Sequence, residues 1–226
     1  MSTRTCKTSG IVGALALTVV LAGCSDGPGL AGQSYGMRGP VQALRVSERD
    51  VTIVGPSGYC IDGKTVQDRS SGAFVMLGNC ATLRDEGNAP DTPGVLTALI
   101  SPRTDQPMRP GPERLLSFFR SSQGRAALAY DGVPDPISIM SSAIEGDVLY
   151  LRVRDRSVAR PEDLSDLSWR AVLSLKDRIV ALSVTGHRTL PISNDEARAT
   201  LRAFVAAMTA ANQPVLADAP VAEDKT

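Results

Sequence analysis

The sequence predicts an α+β domain: an antiparallel sheet built from hairpins, a packed C-terminal helix, a shorter central helix and one disulfide. Three observations predict it. Two apolar, β-branched runs, Trp169–Leu175 and Arg178–Val184, flank only Lys176-Asp177, the spacing of a hairpin with a two-residue turn. Ser193-Asn194-Asp195-Glu196 reads S-x-x-E, a capping box, ahead of an Ala-rich segment with apolar residues at helical spacing. Upstream, short apolar runs alternate with Gly- and Pro-rich turn clusters. Consecutive hairpins with a helix before and after them are an α+β pattern.

In chain order, Asp50–Val54 is a β-branched strand ending at the turn cluster Gly55-Pro56-Ser57-Gly58. Tyr59–Ile61 is a short extended piece before Asp62-Gly63, and Ala73–Leu77 is a more buried strand ending at Gly78-Asn79-Cys80. Arg84 to Gly94 and Ser101 to Gly111 are Pro-rich loops around a third strand, Val95–Ile100. Pro112 and Glu113 open a helix, because proline fits the first helical position and an acid there complements the dipole. Leu115, Leu116 and Phe119 share its inner face, and Gly124 is expected to end it. Arg125 to Tyr130 reads equally as a further helical turn or a strand. Ile137–Met140 and Val148–Val153 form a hairpin around Glu145-Gly146-Asp147.

In the second hairpin, a two-residue turn pairs Leu173 with Val180, Ala171 with Leu182 and Trp169 with Val184. All six then lie on one face. The final helix runs to about Asn212 with the stripe Ala197, Leu201, Phe204, Val205 and Met208, and Gln213-Pro214 stops it. A single domain over 45–212 is expected, with a disordered Pro/Ala/acid tail over 213–226.

The chain has 24 Lys+Arg against 24 Asp+Glu, and 4% aromatics. Such balance gives no electrostatic reason to expect a nucleic-acid partner. The N-terminal segment carries Arg4 and Lys7 and no acid, followed by the apolar run Ile11–Ala22. A positive start and a short apolar core are the pattern of a secretory signal, and the run is too short to span a bilayer stably. Leu21-Ala22-Gly23-Cys24 follows. Here the chain resembles bacterial lipoprotein precursors, whose lipobox reads Leu, small, small, Cys. That resemblance implies a signal peptide over 1–23, a diacylglycerol on the Cys24 sulfur, cleavage before Cys24 and acylation of the new amino group. Several acyl chains hold a protein firmly where one holds it marginally. Ser25, rather than Asp, follows the cysteine, which by the sorting rule of such lipoproteins implies the periplasmic face of the outer membrane. Ser25 to Pro40 holds five glycines. A flexible tether over residues 24–44, beginning at Cys24, is expected from this composition. In element order over 45–212 the chain resembles the PsbP-like fold, seen also in small bacterial envelope lipoproteins; no residue motif carries that likeness.

Of four cysteines, Cys6 leaves with the signal and Cys24 is the lipidation site. Cys60 and Cys80 remain, and an even pair in an exported chain is expected to form a disulfide. A redox-active dithiol, a metal site and two free thiols are the alternatives. The chain has no C-x-x-C, and a zinc site needs three or four ligands where this chain offers two thiols and the lone His187. No metal and no cofactor is expected.

Gly58-Tyr59-Cys60-Ile61-Asp62-Gly63-Lys64-Thr65 formally satisfies G-x-x-x-x-G-K-[ST], the phosphate-cradling loop of NTPases. In that loop backbone N–H groups wrap the phosphates, Lys64 would reach the β/γ oxygens and Thr65 would bind Mg²⁺. Its context argues otherwise: Val66 to Gly72 is polar without apolar period, so no helix follows, and bulky Tyr, Cys and Ile sit where close approach is needed. A β-turn at Asp62-Gly63 beside a disulfide is the preferred reading. Gly55-Pro56-Ser57-Gly58 lacks the final glycine of G-x-S-x-G, since Tyr59 stands there. His187 reads as a solvated loop histidine rather than a triad member, and Glu162, Asp163 and Asp166 as a solvated loop rather than a cation site. Asp224-Lys225-Thr226 lacks the glycine of the ion-pump D-K-T-G and is coincidental.

These readings give a lipid-anchored envelope protein, non-enzymatic, that binds or supports another envelope component. A small-ligand carrier with a pocket under the C-terminal helix is the first alternative. A nucleotide-binding or hydrolytic enzyme using 58–65 is the second.

Overall fold

The computed structural model describes residues 39–86, 94–103 and 110–213. The expected signal segment, Cys24, the glycine-rich stretch up to 38 and the residues from 214 lie outside the described residues, as do the middles of the two Pro-rich loops. In chain order the elements are β1 (Ala43–Val46), β2 (Val51–Val54), β3 (Tyr59–Ile61), β4 (Gln67–Arg69), β5 (Gly72–Asn79), α1 (Cys80–Leu83), β6 (Val95–Ile100), α2 (Pro112–Arg120), α3 (Ser122–Leu128), β7 (Ile137–Glu145), β8 (Val148–Asp155), β9 (Leu164–Leu175), β10 (Arg178–His187) and α4 (Asn194–Ala211). The fold is α+β. The main sheet runs β3-β5-β6-β10-β9-β8-β7, with β4 also on β5, and β1-β2 form a small separate sheet.

Lys176 and Asp177 both have positive φ, 49° and 61°. That is a type I′ turn, whose twist matches the flanking strands. The β9–β10 register follows from it: Leu173 faces Val180, Ala171 faces Leu182 and Trp169 faces Val184. All six are buried on the side that α4 covers, together with Val75, Leu77, Leu96, Ala98 and Ile100. Against them α4 presents Ala197, Leu201, Phe204, Val205 and Met208, every one buried. Burial of a single large apolar side chain contributes about 1.5–3 kcal/mol, so this stripe holds the helix down. The Ser193 side chain caps α4 by accepting the Glu196 N–H at 3.2 Å. At the other end Asn212 accepts the Thr52 N–H at 2.9 Å and donates to the Thr52 carbonyl at 2.7 Å. Its amide thereby stands in for a neighbouring strand on β2.

The opposite face of the sheet, with Leu149, Leu151, Val153 and Val172, is covered by Leu115, Phe119 and Leu128 of α2 and α3. Here the role expected of Gly124 is corrected. α2 stops at Arg120, Ser121 is extended, and the Ser121 hydroxyl accepts the Gly124 N–H at 3.0 Å to start α3. A Cβ on Gly124 would lie 2.0 Å from the Phe118 carbonyl oxygen. Glycine is needed because two helix ends touch there, not because a helix stops. Buried Asp155 accepts the backbone N–H groups of Tyr130 and Ser157 on this side. Burial pushes the nearby Arg170 guanidinium below its ordinary value, and Asp155 pulls the other way.

The chain joins the fold earlier than position 45. Val41 bridges Ile61, and β1 begins at Ala43. The β1–β2 connection carries three consecutive non-glycine residues at positive φ, Ser47, Glu48 and Arg49. Such residues cost roughly 1–3 kcal/mol each and need support. Asp68 accepts the Ser47 N–H, and buried Arg178 donates to the carbonyls of Ser47 and Ser101. Arg178 Nε also lies 3.5 Å from Asp50 Oδ2, which accepts from Arg103 at 2.6 Å. Cys60 of β3 and Cys80, the first residue of α1, form the expected disulfide.

Replacing Cys60 and Cys80 together by alanine is expected to cost about 3 kcal/mol of stability, the loop-closure value for this separation, read from chemical denaturation. Burial alone would raise the Asp50 pKa, but Arg103 and Arg178 outweigh it and hold the carboxyl below its usual range. Its contribution is therefore complete above the unfolded value near 4 and is lost as pH falls through the lower folded value. Denaturation midpoints over about pH 2–7 should show that loss. Asp50→Asn should be less stable near neutrality and have a shallower acid limb.

Candidate functional site

A hollow opens at the end of the sheet where α4 begins. The second half of β8 reads Leu151-Arg152-Val153-Arg154-Asp155, and Arg156 follows it. Strand alternation sends Leu151 and Val153 to the α2–α3 side, where they are buried. Arg152 and Arg154 therefore project to the α4 side, Arg152 opposite Trp169. Because α4 starts only at Asn194, this end of the sheet is left open.

The start of α4 is fixed from three directions. Trp169 Nε1 donates to Asn194 Oδ1 at 3.1 Å. The Arg198 guanidinium lies 5.6 Å from the Trp169 ring centroid, a cation–π contact. Glu145 at the end of β7 accepts from Arg198 at 3.1 Å and from Arg202 Nε at 3.0 Å. The Arg202 hydrogen bond leads in holding the Glu145 carboxyl below its ordinary range. Behind the helix start, Gly186 allows the returning loop to lie on the sheet: a Cβ there would be 2.8 Å from Ile192 Cγ2.

The hollow has two chambers that share Ser165 and Pro191. The inner one, about 200 Å³, is walled by Leu167, Trp169, Val184, Ile192 and Ala197, with Arg152 as its charged group. The outer one, about 450 Å³ and wider, is bounded by Arg156, Arg160, Asp166, His187 and Arg188. Asp166 is ion-paired to Arg154 Nε at 3.5 Å. Arg188 donates to the Glu162 carbonyl, and Arg160 to the carbonyls of Pro161 and Leu164. The side chains of Arg152, Arg156 and His187 make no hydrogen bond or ion pair with the described residues. The outer chamber thus carries an excess of positive charge that the protein itself does not neutralise.

His187 is the last residue of β10, opposite Leu164 across a register shift, rather than a loop residue. No acid or hydroxyl hydrogen-bonds to its ring among the described residues, so no hydrogen-bonded triad is assembled around it. Glu162 and Asp163 lend backbone carbonyls to Arg188. Among the described residues no three ligating side chains gather for a metal ion.

The match at 58–65 lies on a strand and a turn, not on the strand-to-helix loop that cradles phosphate in NTPases. Gly58, at φ +85°, turns the chain into β3, and Tyr59–Ile61 is strand. The N–H groups of Tyr59, Ile61 and Asp62 donate to the carbonyls of Pro56, Val41 and Met76. Beyond Gly63, Lys64 N–H donates to Asp62 Oδ1, and Thr65 gives both its N–H and its hydroxyl to the Asp62 carbonyl. Thr65 Oγ1 also accepts the Met76 N–H at 3.3 Å. The N–H groups of Tyr59, Ile61, Asp62, Lys64 and Thr65 are engaged within the protein, and β4 follows where a helix should. Gly63, Lys64 and Thr65 form a turn held by Asp62, beside the Cys60–Cys80 disulfide.

The hollow's arginines were not singled out in the sequence. The available signal is the alternation at Arg152 and Arg154, a period of two that puts like charges on one face of β8, with Arg156 just beyond its end. No family model matches the chain, and no curated protein matches it significantly.

Titration with ATP and Mg²⁺ should give no saturable binding, and Lys64→Ala should unfold at the same denaturant concentration as the parent, because Lys64 is exposed.

Proposed function

We propose that this is a lipoprotein of a bacterial cell envelope, exported by residues 1–23 and held through acyl chains on Cys24 at the periplasmic face of the outer membrane. Its domain acts by binding rather than by chemistry. The observation that supports export independently of the N-terminal pattern is the Cys60–Cys80 disulfide, a bond that persists in oxidising compartments and is rare in the cytosol. No described helix is long and apolar enough to cross a membrane, and acylation at Cys24 supplies the attachment in this reading. The PsbP-like order of elements fits the same assignment, and an envelope protein is one class of partner for such a domain. A second reading, carriage of a small ligand, is favoured by the hollow between the sheet and the start of α4.

Cells expressing the chain and fed a clickable palmitate analogue should label it, with mass spectrometry placing the lipid on Cys24. Cys24→Ser should abolish labelling and release the protein from membranes. An unmodified amino terminus, or a cytosolic product with Cys60 and Cys80 reduced, would overturn the assignment.

A further inference from the structure

We propose that the hollow at the start of α4 binds a small anionic amphiphile, its charged head among Arg156, Arg160 and Arg188 and its apolar body against Trp169, Val184 and Ile192. The inference specifies the ligand of the binding reading above, and it does not depend on acylation of Cys24.

The charge argument comes first. Five basic groups, Arg152, Arg156, Arg160, His187 and Arg188, border the two chambers, against the single carboxylate of Asp166. That carboxylate is engaged by Arg154. Among the described residues the side chains of Arg152 and Arg156 have no hydrogen-bond or ion-pair partner, and Arg160 Nε is buried without one. Arginine presents a planar fork of donors suited to carboxylate and phosphate oxygens. Charged hydrogen-bonding groups left unmatched in a partly enclosed site favour a ligand that supplies acceptors. The capped start of α4 is not the seat of this attraction, since it carries Asp195 and Glu196.

The shape argument is separate. A free inorganic anion would use only the outer chamber. The inner chamber is lined chiefly by apolar side chains, and Trp169 and Ile192 face it across a floor kept low by Gly186. Apolar walls leading to a few convergent polar groups are the usual make-up of a small-molecule site. The inner chamber's volume of about 200 Å³ fits a short chain or a single ring, not a long acyl tail.

Trp169 is the only tryptophan in the chain, so its emission reports occupancy of the inner chamber directly. The full-length protein is titrated as isolated, in phosphatidylcholine nanodiscs if acylated and free in buffer if not. Failure of the lipid assignment therefore leaves this test intact. Hexyl phosphate is expected to change Trp169 emission saturably and to bind at least tenfold more tightly than inorganic phosphate or hexanol. Arg156→Gln and Arg188→Gln should each weaken it by about tenfold, the loss of one charge-assisted hydrogen bond. Their unfolding midpoints should stay at the parental value, which separates loss of contact from loss of fold. Anionic phosphatidylglycerol vesicles that compete with hexyl phosphate would identify the head as a lipid headgroup; absence of competition would identify a free acid. Equal affinity for hexyl phosphate and hexanol, or binding unaffected by both arginine substitutions in folded protein, would overturn the proposal.

Discussion

Two adjacent residues in the left-handed region, Lys176 and Asp177, decide which side chains of β9 and β10 share a face. A slip of one residue would turn Trp169, Ala171 and Leu173 away from α4 and leave its apolar stripe facing polar groups. The constraint spreads outward through the ladder. β6 pairs with β10 so that Leu96, Ala98 and Ile100 join the same core, and β8 pairs with β9 so that Arg152 sits opposite Trp169. One turn therefore orients both the hydrophobic layer under α4 and the arginines beyond its end. Fold and candidate site are two readings of a single register.

What distinguishes the site from the rest of that face is coverage. Along most of β9 and β10 the α4 side is closed by Leu201, Phe204 and Met208, all fully buried. At the strand ends the helix has not begun, and the same alternation that hides apolar residues elsewhere presents charged ones. Trp169 marks the border. Its ring belongs to the core, its N–H anchors Asn194, and its side chain helps wall the inner chamber. Glu145 steadies this border from β7 by gathering Arg198 and Arg202, which keeps those two cations out of the hollow and leaves its arginines as the open ones.

Much of this was legible from residues alone where a local rule and the tertiary structure agree. The register of the last hairpin, the capping box at Ser193, the α4 stripe, the strands at Tyr59–Ile61 and Val95–Ile100 and the Cys60–Cys80 bond all follow from short-range pattern. At Gly124 the sequence is ambiguous, since a helix-ending glycine and a close-contact glycine look identical, and only the Phe118 carbonyl tells them apart. The tether expected over 24–44 takes in Ala43 and Leu44, the first half of β1, because that strand is brief and follows a glycine-rich stretch; its strand character comes from Val51–Val54 beside it. α1 was hidden for a similar reason, its cue being only the Asn79 side chain capping Ala81 and Thr82. The arginines of β8 look like any solvated strand face until the position of the helix start is known. Residues 1–38, which carry the lipid-attachment reading, lie outside the described residues, so that reading still stands on its motif.

The entry of the chain into the domain has a mechanical side. Val41 exchanges two backbone hydrogen bonds with Ile61, at 3.2 and 2.8 Å, and the next residue back along β3 is Cys60, joined covalently to Cys80. Tension applied between the two ends of the chain would peel Val41 from its bridge, open the β1–β2 hairpin and then arrive at Cys60. From there the force path crosses the sulfur bond straight to Cys80. Residues 61–79, including the turn at Asp62 and the whole body of β5 up to Asn79, stand outside that path and stay unstretched while the thiols remain oxidised.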